Sequence, residues 1–366
     1  RVFKDTSAWY HCVATADVSL SSPEVKIYVN GEEQTDLAYN VTPSQNADIG
    51  WFRNWNFEIG VQFSSQYYLD GLLADLYYVQ GYIHPASTFG ETDATTGEWK
   101  PKLDPTINYG GNGGNSCHLK FENSGNMDLD SGSNNLSFTT SGTLTQTVDC
   151  PSDNFPTVNT LYYSAENITA TGIHLGNLGV NQTGTAAPFY STIAVPSGKY
   201  YWEGFVETVG TNNMHGVHRT EDISQATSAG NPANEAYGYA YRSDGSKFNN
   251  GSATSYGNSF TTGDYVSVAY DATNGAIWFA KNGTWQNSAT TSEIAAGTTT
   301  NAAFSSMPTN GVFYTPYTYL DNSGVVRFNF GNGVFGSTAL GTTYSPTAGN
   351  TGAKFKYNII PSGFTA

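Results

Sequence analysis

Glu91-Thr92-Asp93, with Glu98 beyond it, is this sequence's nearest approach to the paired carboxylates of glycan hydrolysis. That chemistry holds two carboxyl groups at a fixed separation across the scissile bond, one as acid and one as nucleophile or base. The segment is rich in Gly and Thr and reads as a loop, which fixes no such separation. The six histidines (His11, His84, His118, His174, His215, His218) contain no His-x-x-x-His pair, and the three cysteines no Cys-x-x-Cys pair. Met214-His215-Gly216-Val217-His218 sets two histidines three apart. A zinc site there needs two further ligands that the sequence does not place, and the simpler expectation is a pair of loop or edge histidines. Asp128-Leu129-Asp130-Ser131-Gly132 has the look of a calcium loop. Its twelfth position is Thr139, not the bidentate Glu that an EF-hand requires. No nucleophile elbow and no phosphate-cradling loop occurs. These residues predict no catalytic centre and no cofactor, and leave a structural calcium ion with unidentified ligands as the one candidate metal.

Binding chemistry is better represented. Gly50-Trp51-Phe52-Arg53-Asn54-Trp55-Asn56 is an aromatic loop in which Trp51 and Trp55 could stack on the apolar faces of sugar rings, while Arg53 and Asn54 hydrogen-bond hydroxyls. Tyr256 and Trp285 are candidates for the same work further on. The competing reading is that aromatics of strand runs point into a core, where most of them go. For Tyr237, Tyr239 and Tyr241 the period of two predicts the core. For Trp51 and Trp55 the intervening Arg53 and Asn54 predict the surface.

The elements that position these residues are strands. Gly 40, Tyr 25 and Phe 20 among 366 residues, with abundant Ser, Thr and Asn, is the composition of twisted sheets joined by positive-φ turns. Residues 8–14 and 25–29 read as strands, the second ending at the hairpin turn Asn30-Gly31. Residues 48–50, 57–61, 72–79 and 117–121 continue the first domain. In the second half, strands are predicted over 198–207, 263–271, 276–281 and 325–331, with a hairpin turn at Asn282-Gly283. The net charge of −15, from Lys+Arg 15 against Asp+Glu 30, repels phosphate backbones and argues against a nucleic-acid partner. No apolar run reaches the roughly 20 residues of a membrane-spanning helix. Cys12, Cys117 and Cys150 cannot all pair within one chain. Cys12 and Cys117 are expected as buried thiols rather than a bridge.

Two sets of residues carry resemblances. Tyr68-Leu69-Asp70-Gly71-Leu72-Leu73-Ala74-Asp75-Leu76-Tyr77-Tyr78-Val79-Gln80-Gly81, then Phe89-Gly90-Glu91-Thr92-Asp93 and Gly97-Glu98-Trp99-Lys100-Pro101-Lys102, resembles the end of a laminin-G-like, concanavalin-like sandwich domain of tailed-phage structural proteins, marine ones especially. Gly198-Lys199-Tyr200-Tyr201-Trp202-Glu203, the strand ending at Asp271, Trp278 to Gly283, and Asn329-Phe330-Gly331 together resemble a SPRY domain over most of 190–335. The strands that precede Trp9-Tyr10-His11 in such laminin-G-like domains are missing here, and residues 360–366 resemble a linker. The chain is therefore expected to be part of a longer polypeptide.

The expected fold is all-β, with two tandem antiparallel, jelly-roll-like sandwiches: an N-terminally incomplete laminin-G-like domain over 1–122, an extended linker over 123–160, a SPRY-like sandwich over 161–337 and a C-terminal linker over 338–366. The resemblances imply a non-enzymatic virion surface appendage, a tail fibre or capsid decoration, that attaches to host-surface glycans. They also imply other virion proteins as partners, a virion-surface or extracellular location and a homo-oligomer, expected as a trimer. A secreted cellular adhesin or filament subunit is the alternative, and a glycan-active enzyme a more remote one.

Overall fold

The computed structural model describes residues 5, 8–37, 42–47, 58–61, 68–109, 115–161, 172–184, 186–225, 230–321 and 323–366. Trp51, Arg53, Asn54 and Trp55, and the expected strand over 48–50, lie outside the described residues. The chain divides into two compact units. Ala8–Gln146 and Cys150–Ser152 belong to the first, Thr147–Asp149 and Asp153–Ala366 to the second.

The described sheets of both units are antiparallel, and the described α-helices, Ala86–Phe89 and Thr291–Ala295, are single turns. In the first unit Cys12–Asp17 pairs with Glu24–Val29, which turns at Asn30-Gly31 into Glu32–Glu33. Both turn residues have positive φ, 50° and 77°, as a two-residue hairpin turn requires. Leu76–Tyr78 pairs with Cys117–Leu119, and Gly90–Thr92 with Trp99–Pro101. Trp99 organises this unit. Its ring lies where a Cβ on Gly31 or Gly90 would stand, and its Nε1 donates to His11 Nδ1 at 3.1 Å. The expected strand over 57–61 does not form across Glu58–Val61.

The second unit is a sandwich of two sheets. The six-stranded sheet runs in the order Ala187–Tyr190, Tyr314–Leu320, Met214–Arg219, Gly238–Arg242, Ser246–Asn249, Ser252–Ser255. The seven-stranded sheet runs Thr284–Trp285, Ala276–Lys281, Tyr265–Asp271, Lys199–Thr208, Val325–Asn329, Gly179–Asn181, Ile173–His174. Alternation along each strand sends one set of side chains inward. Trp202, Val206, Val268, Phe279 and Phe328 from one sheet meet Phe189, Val217, Tyr241, Tyr314 and Leu320 from the other in a single core. Tyr241 stacks on Phe279 across it, ring centroids 5.5 Å apart. Tyr239 and Tyr241 are buried there with Tyr237 packed against them, as their period of two predicts.

The stretches read as linkers are not free. Residues 123–146 stay with the first unit, where Asp130 is buried, and Phe155 and Val158 are core residues of the second. Residues 338–366, expected as a C-terminal linker, instead return across the seven-stranded sheet. Ala353, Phe355 and Phe364 are fully buried against Tyr201, Trp278, Ala280 and Trp285 on its outer face. The reason is physical: that face is apolar and would otherwise meet water. Phe355 meets Tyr201 edge-on at 4.8 Å. Phe355→Ala should therefore cost about 3–5 kcal/mol and lower the thermal midpoint by several degrees. Exposed Thr338→Ala in the same segment should change stability by less than about 0.5 kcal/mol. Equal, silent behaviour of the two variants in a thermal melt would return the segment to linker status.

Candidate functional site

Each titratable cluster was a candidate for chemistry, and most prove to be engaged in holding the fold. On the strand Gly90–Thr92 and the turn after it, Glu91 and Asp93 stand near lysines, Asp93 at 2.9 Å from Lys100 Nζ. The Lys100 ammonium first, and then the donating backbone N–H groups of Thr95 and Thr96, hold the Asp93 carboxyl down at about 2. It is a turn staple rather than half of an acid–base pair. Asp130 is likewise spent: Oδ1 accepts from His118 N and Gly132 N, and Oδ2 from Leu136 N. The cysteines of the described structure are free thiols. Cys117 is buried, and burial pushes it up to about 11, whereas Cys12 is exposed, contrary to expectation.

Glu203 looks most like an acid catalyst and is least able to act as one. Burial pushes its carboxyl up to about 7, the range of a general acid at neutral pH. Yet the residue is 0% exposed, and its oxygens are filled by four donors. Tyr201 Oη donates at 2.9 Å, Asn329 Nδ2 at 3.3 Å, and the backbone N–H groups of Lys356 and Tyr357 at 2.8 and 3.1 Å. These donors favour the carboxylate and oppose the effect of burial.

Tyr256 and Trp285, read as candidate glycan contacts, are both buried, which overturns that reading. Tyr256 packs edge-on to Tyr241, and its oxygen accepts from Phe279 N. Trp285 packs edge-on to Tyr201 and donates through Nε1 to Thr291 Oγ1 at 3.1 Å. Neither ring face is open to a sugar.

The two histidines of Met214–Arg219 are neither in a loop nor at a sheet edge. Their strand is third of six in its sheet, and both are buried. Three residues apart, they face opposite sides. His215 points into the sandwich core beside Phe260 and Phe328, where burial lowers its pKa to about 3 and keeps it neutral. Its Nε2 has no hydrogen-bond partner among the described residues. His218 points to the outer face. Its Nε2 lies 3.0 Å from Glu235 Oε2, and its Nδ1 lies 3.3 Å from Tyr190 Oη. Burial lowers its pKa while Glu235 pulls the other way.

Around His218 the described residues bring together Asp222, Glu235 and Arg219. Asp222, on the 3-10 turn Thr220–Gln225, takes Arg219 through both oxygens at 2.7 Å. The Arg219 guanidinium lies 3.5 Å over the Tyr237 ring. Glu235 caps the turn Pro232–Asn234, and its carbonyl is fixed by Asn250 N at 3.2 Å. One ligand atom each from His218, Asp222 and Glu235 lies within 4.8 Å of the others, the geometry needed to hold a metal ion. Sequence reasoning saw the histidines and missed both carboxylates. Asp222 sits four residues away, Glu235 seventeen, and only the sheet return brings the latter back.

Residues 199–333 match the SPRY domain, a β-sandwich fold. Among solved structures, the SPRY domain of human HERC1 is similar at 18% identity and a TM-score of 0.36, covering 47% of this chain and 96% of that one. No curated protein matches the chain.

The buried glutamate gives a pH signature. An unfolded Glu titrates near 4.5 and the folded one near 7, so the folded state holds this proton more tightly. Its favourable contribution is complete below pH 4.5 and lost as pH rises through 7, on the order of 3 kcal/mol in all. Calorimetric midpoints of the wild type should fall across that window by more than those of Glu203→Gln, whose amide does not titrate. Parallel pH profiles for the two proteins would refute the assignment.

Proposed function

From the SPRY domain at residues 199–333, we propose that this chain is a non-enzymatic adhesion module on an exposed virion appendage, a fibre or capsid decoration that attaches to host-surface glycans. A SPRY domain is coarsely a protein-interaction or adhesion module. The observation that carries the non-enzymatic reading is the engagement of the carboxylates best suited to catalysis. Glu203 is sealed under the C-terminal segment, and Asp93 is locked by Lys100 and its own turn. The virion assignment rests on the laminin-G-like resemblance of residues 68–102. The acidic, charge-poor composition, rich in Ser, Thr and Asn, suits a protein outside the cell.

The aromatic loop of Trp51, Arg53, Asn54 and Trp55 is the proposed glycan contact, now without Tyr256 and Trp285. Repeated copies in a homo-oligomer, proposed as a trimer, would turn weak single-site binding into firm attachment. No helix of the described residues is long and apolar enough to cross a membrane.

Immunogold electron microscopy on particles purified from the source should place label on tailed virions, at fibres or on the capsid. Label confined to cells or free filaments would favour a secreted cellular adhesin. On a bacterial polysaccharide array, replacing both Trp51 and Trp55 by Ala should weaken binding by roughly 10- to 100-fold, the loss of two stacking contacts of about 1 kcal/mol each or more. Unchanged retention would remove this loop from the site.

A further inference from the structure

The His218 cluster on the outer face of the six-stranded sheet carries the donors of a cation site. We propose that His218, Asp222 and Glu235 bind a divalent transition-metal ion, with zinc the best fit to the donor set. His218 would ligate through Nε2 and the two carboxylates through one oxygen each.

The geometry is close to what such an ion needs. Zinc bonds of about 2.0–2.2 Å in a tetrahedron put neighbouring ligand atoms roughly 3.3–3.5 Å apart. His218 Nε2 and Glu235 Oε2 are already 3.0 Å apart, and all three ligand atoms lie within 4.8 Å. Small side-chain rotations close the rest. An imidazole nitrogen with two carboxylate oxygens is a borderline donor set that suits zinc above magnesium or calcium. Two carboxylates against one guanidinium leave a net negative site. Asp222 gives one lone pair of each oxygen to Arg219, at 2.7 Å, and keeps the other.

The surroundings match as well. A metal on Nε2 requires the imidazole proton on Nδ1, where it donates to an oxygen; Tyr190 Oη stands there at 3.3 Å. Tyr317 supplies an independent observation. Its phenol is fully buried, its ring meets that of His218 edge-on at 6.2 Å, and its hydroxyl has no partner among the described residues. The charge of Glu235 acts on that hydroxyl. A buried, unpartnered hydroxyl costs free energy unless something completes it. A carboxylate oxygen turned toward the ion, or a water bound to it, would be its acceptor. Three protein ligands and a free fourth position describe an open site, and Glu235, one-third exposed, lies on the route in.

The test uses the full chain stripped with a chelator and titrated calorimetrically with zinc chloride, then with cobalt chloride. One saturable zinc site per chain is expected, with cobalt producing the visible absorption of a tetrahedral complex. Glu235→Gln and Asp222→Asn, both partly exposed, should each weaken zinc binding by about tenfold or more while retaining the wild-type circular dichroism. Tyr190→Phe should weaken it by a smaller factor. His218→Ala should abolish the cobalt band. Absence of a saturable zinc site in the wild type, or equal affinity in Glu235→Gln, Asp222→Asn and the wild type, would overturn the proposal.

Discussion

The carboxylate of Glu203 is the constraint around which the second unit closes. A glutamate fully removed from water is tolerable only if its oxygens are satisfied. Two of its donors, Tyr201 and Asn329, come from its own sheet. The other two are backbone N–H groups of Lys356 and Tyr357, more than 150 residues later in the chain. Satisfying one side chain therefore fixes the path of the C-terminal segment, and that path lays Phe355 and Phe364 over Tyr201, Trp278 and Ala280. Backbone pairing repeats the constraint nearby, where Tyr201 N donates to Thr365 O and Thr365 N to Lys199 O. The polar and apolar demands of the outer face are met by the same stretch of chain.

The two sheets of the sandwich consequently present different outer surfaces. The seven-stranded sheet has its apolar outer face roofed by the C-terminal segment, Phe155 and the single turn Thr291–Ala295. That turn carries a complete capping box between Thr290 and Glu293, which fixes where the roof starts. The six-stranded sheet has a smaller apolar cluster of Tyr190, Met214, Ala240, Phe248, Tyr317 and Tyr319 under Ile223 and Ala233. Beside it sit His218, Asp222, Glu235 and Arg219, whose pairings satisfy one another through side chains rather than through backbone. Side-chain pairs of this kind can exchange partners at far smaller cost than a carboxylate sewn to a second segment of main chain.

Legibility in the sequence followed the range of the interaction. Strands marked by alternation and by Asn-Gly turns were readable, because period and turn chemistry are local: Glu24–Val29 into Asn30-Gly31, and Ala276–Lys281 into Asn282-Gly283. The SPRY match at 199–333 contains the blocks Lys199 to Glu203 and Asn329 to Gly331 that carried the resemblance. The C-terminal segment was not readable. Its anchors Ala353 and Phe355 alternate only once and Phe364 lies nine residues on, too short and broken a pattern to mark a strand. Tyr256 and Trp285 failed as surface aromatics for a related reason: each follows a polar strand or turn, and burial is imposed by Tyr241 and Tyr201 from elsewhere in the chain.

A buried histidine pair spaced by three shows how one strand can serve two ends. His215 and His218 share a strand and near-complete burial, yet their surroundings differ in kind. His215 is walled by Phe260 and Phe328 and is held neutral by an apolar core. His218, on the other side, is met by a carboxylate, a phenol and an aspartate already drawn toward a guanidinium. Odd spacing on a strand necessarily separates two side chains between opposite faces, so the sequence pair never forms a pair in space. The chemistry of the outer face depends instead on the turns that carry Asp222 and Glu235 back over it. Arg219 holds the Asp222 carboxylate, while the Asn231 cap of the Pro232–Asn234 turn and Asn250 fix the backbone that carries Glu235. A site assembled from a central strand and two anchored turns is rigid where it must position ligand atoms and open where an ion or partner must enter.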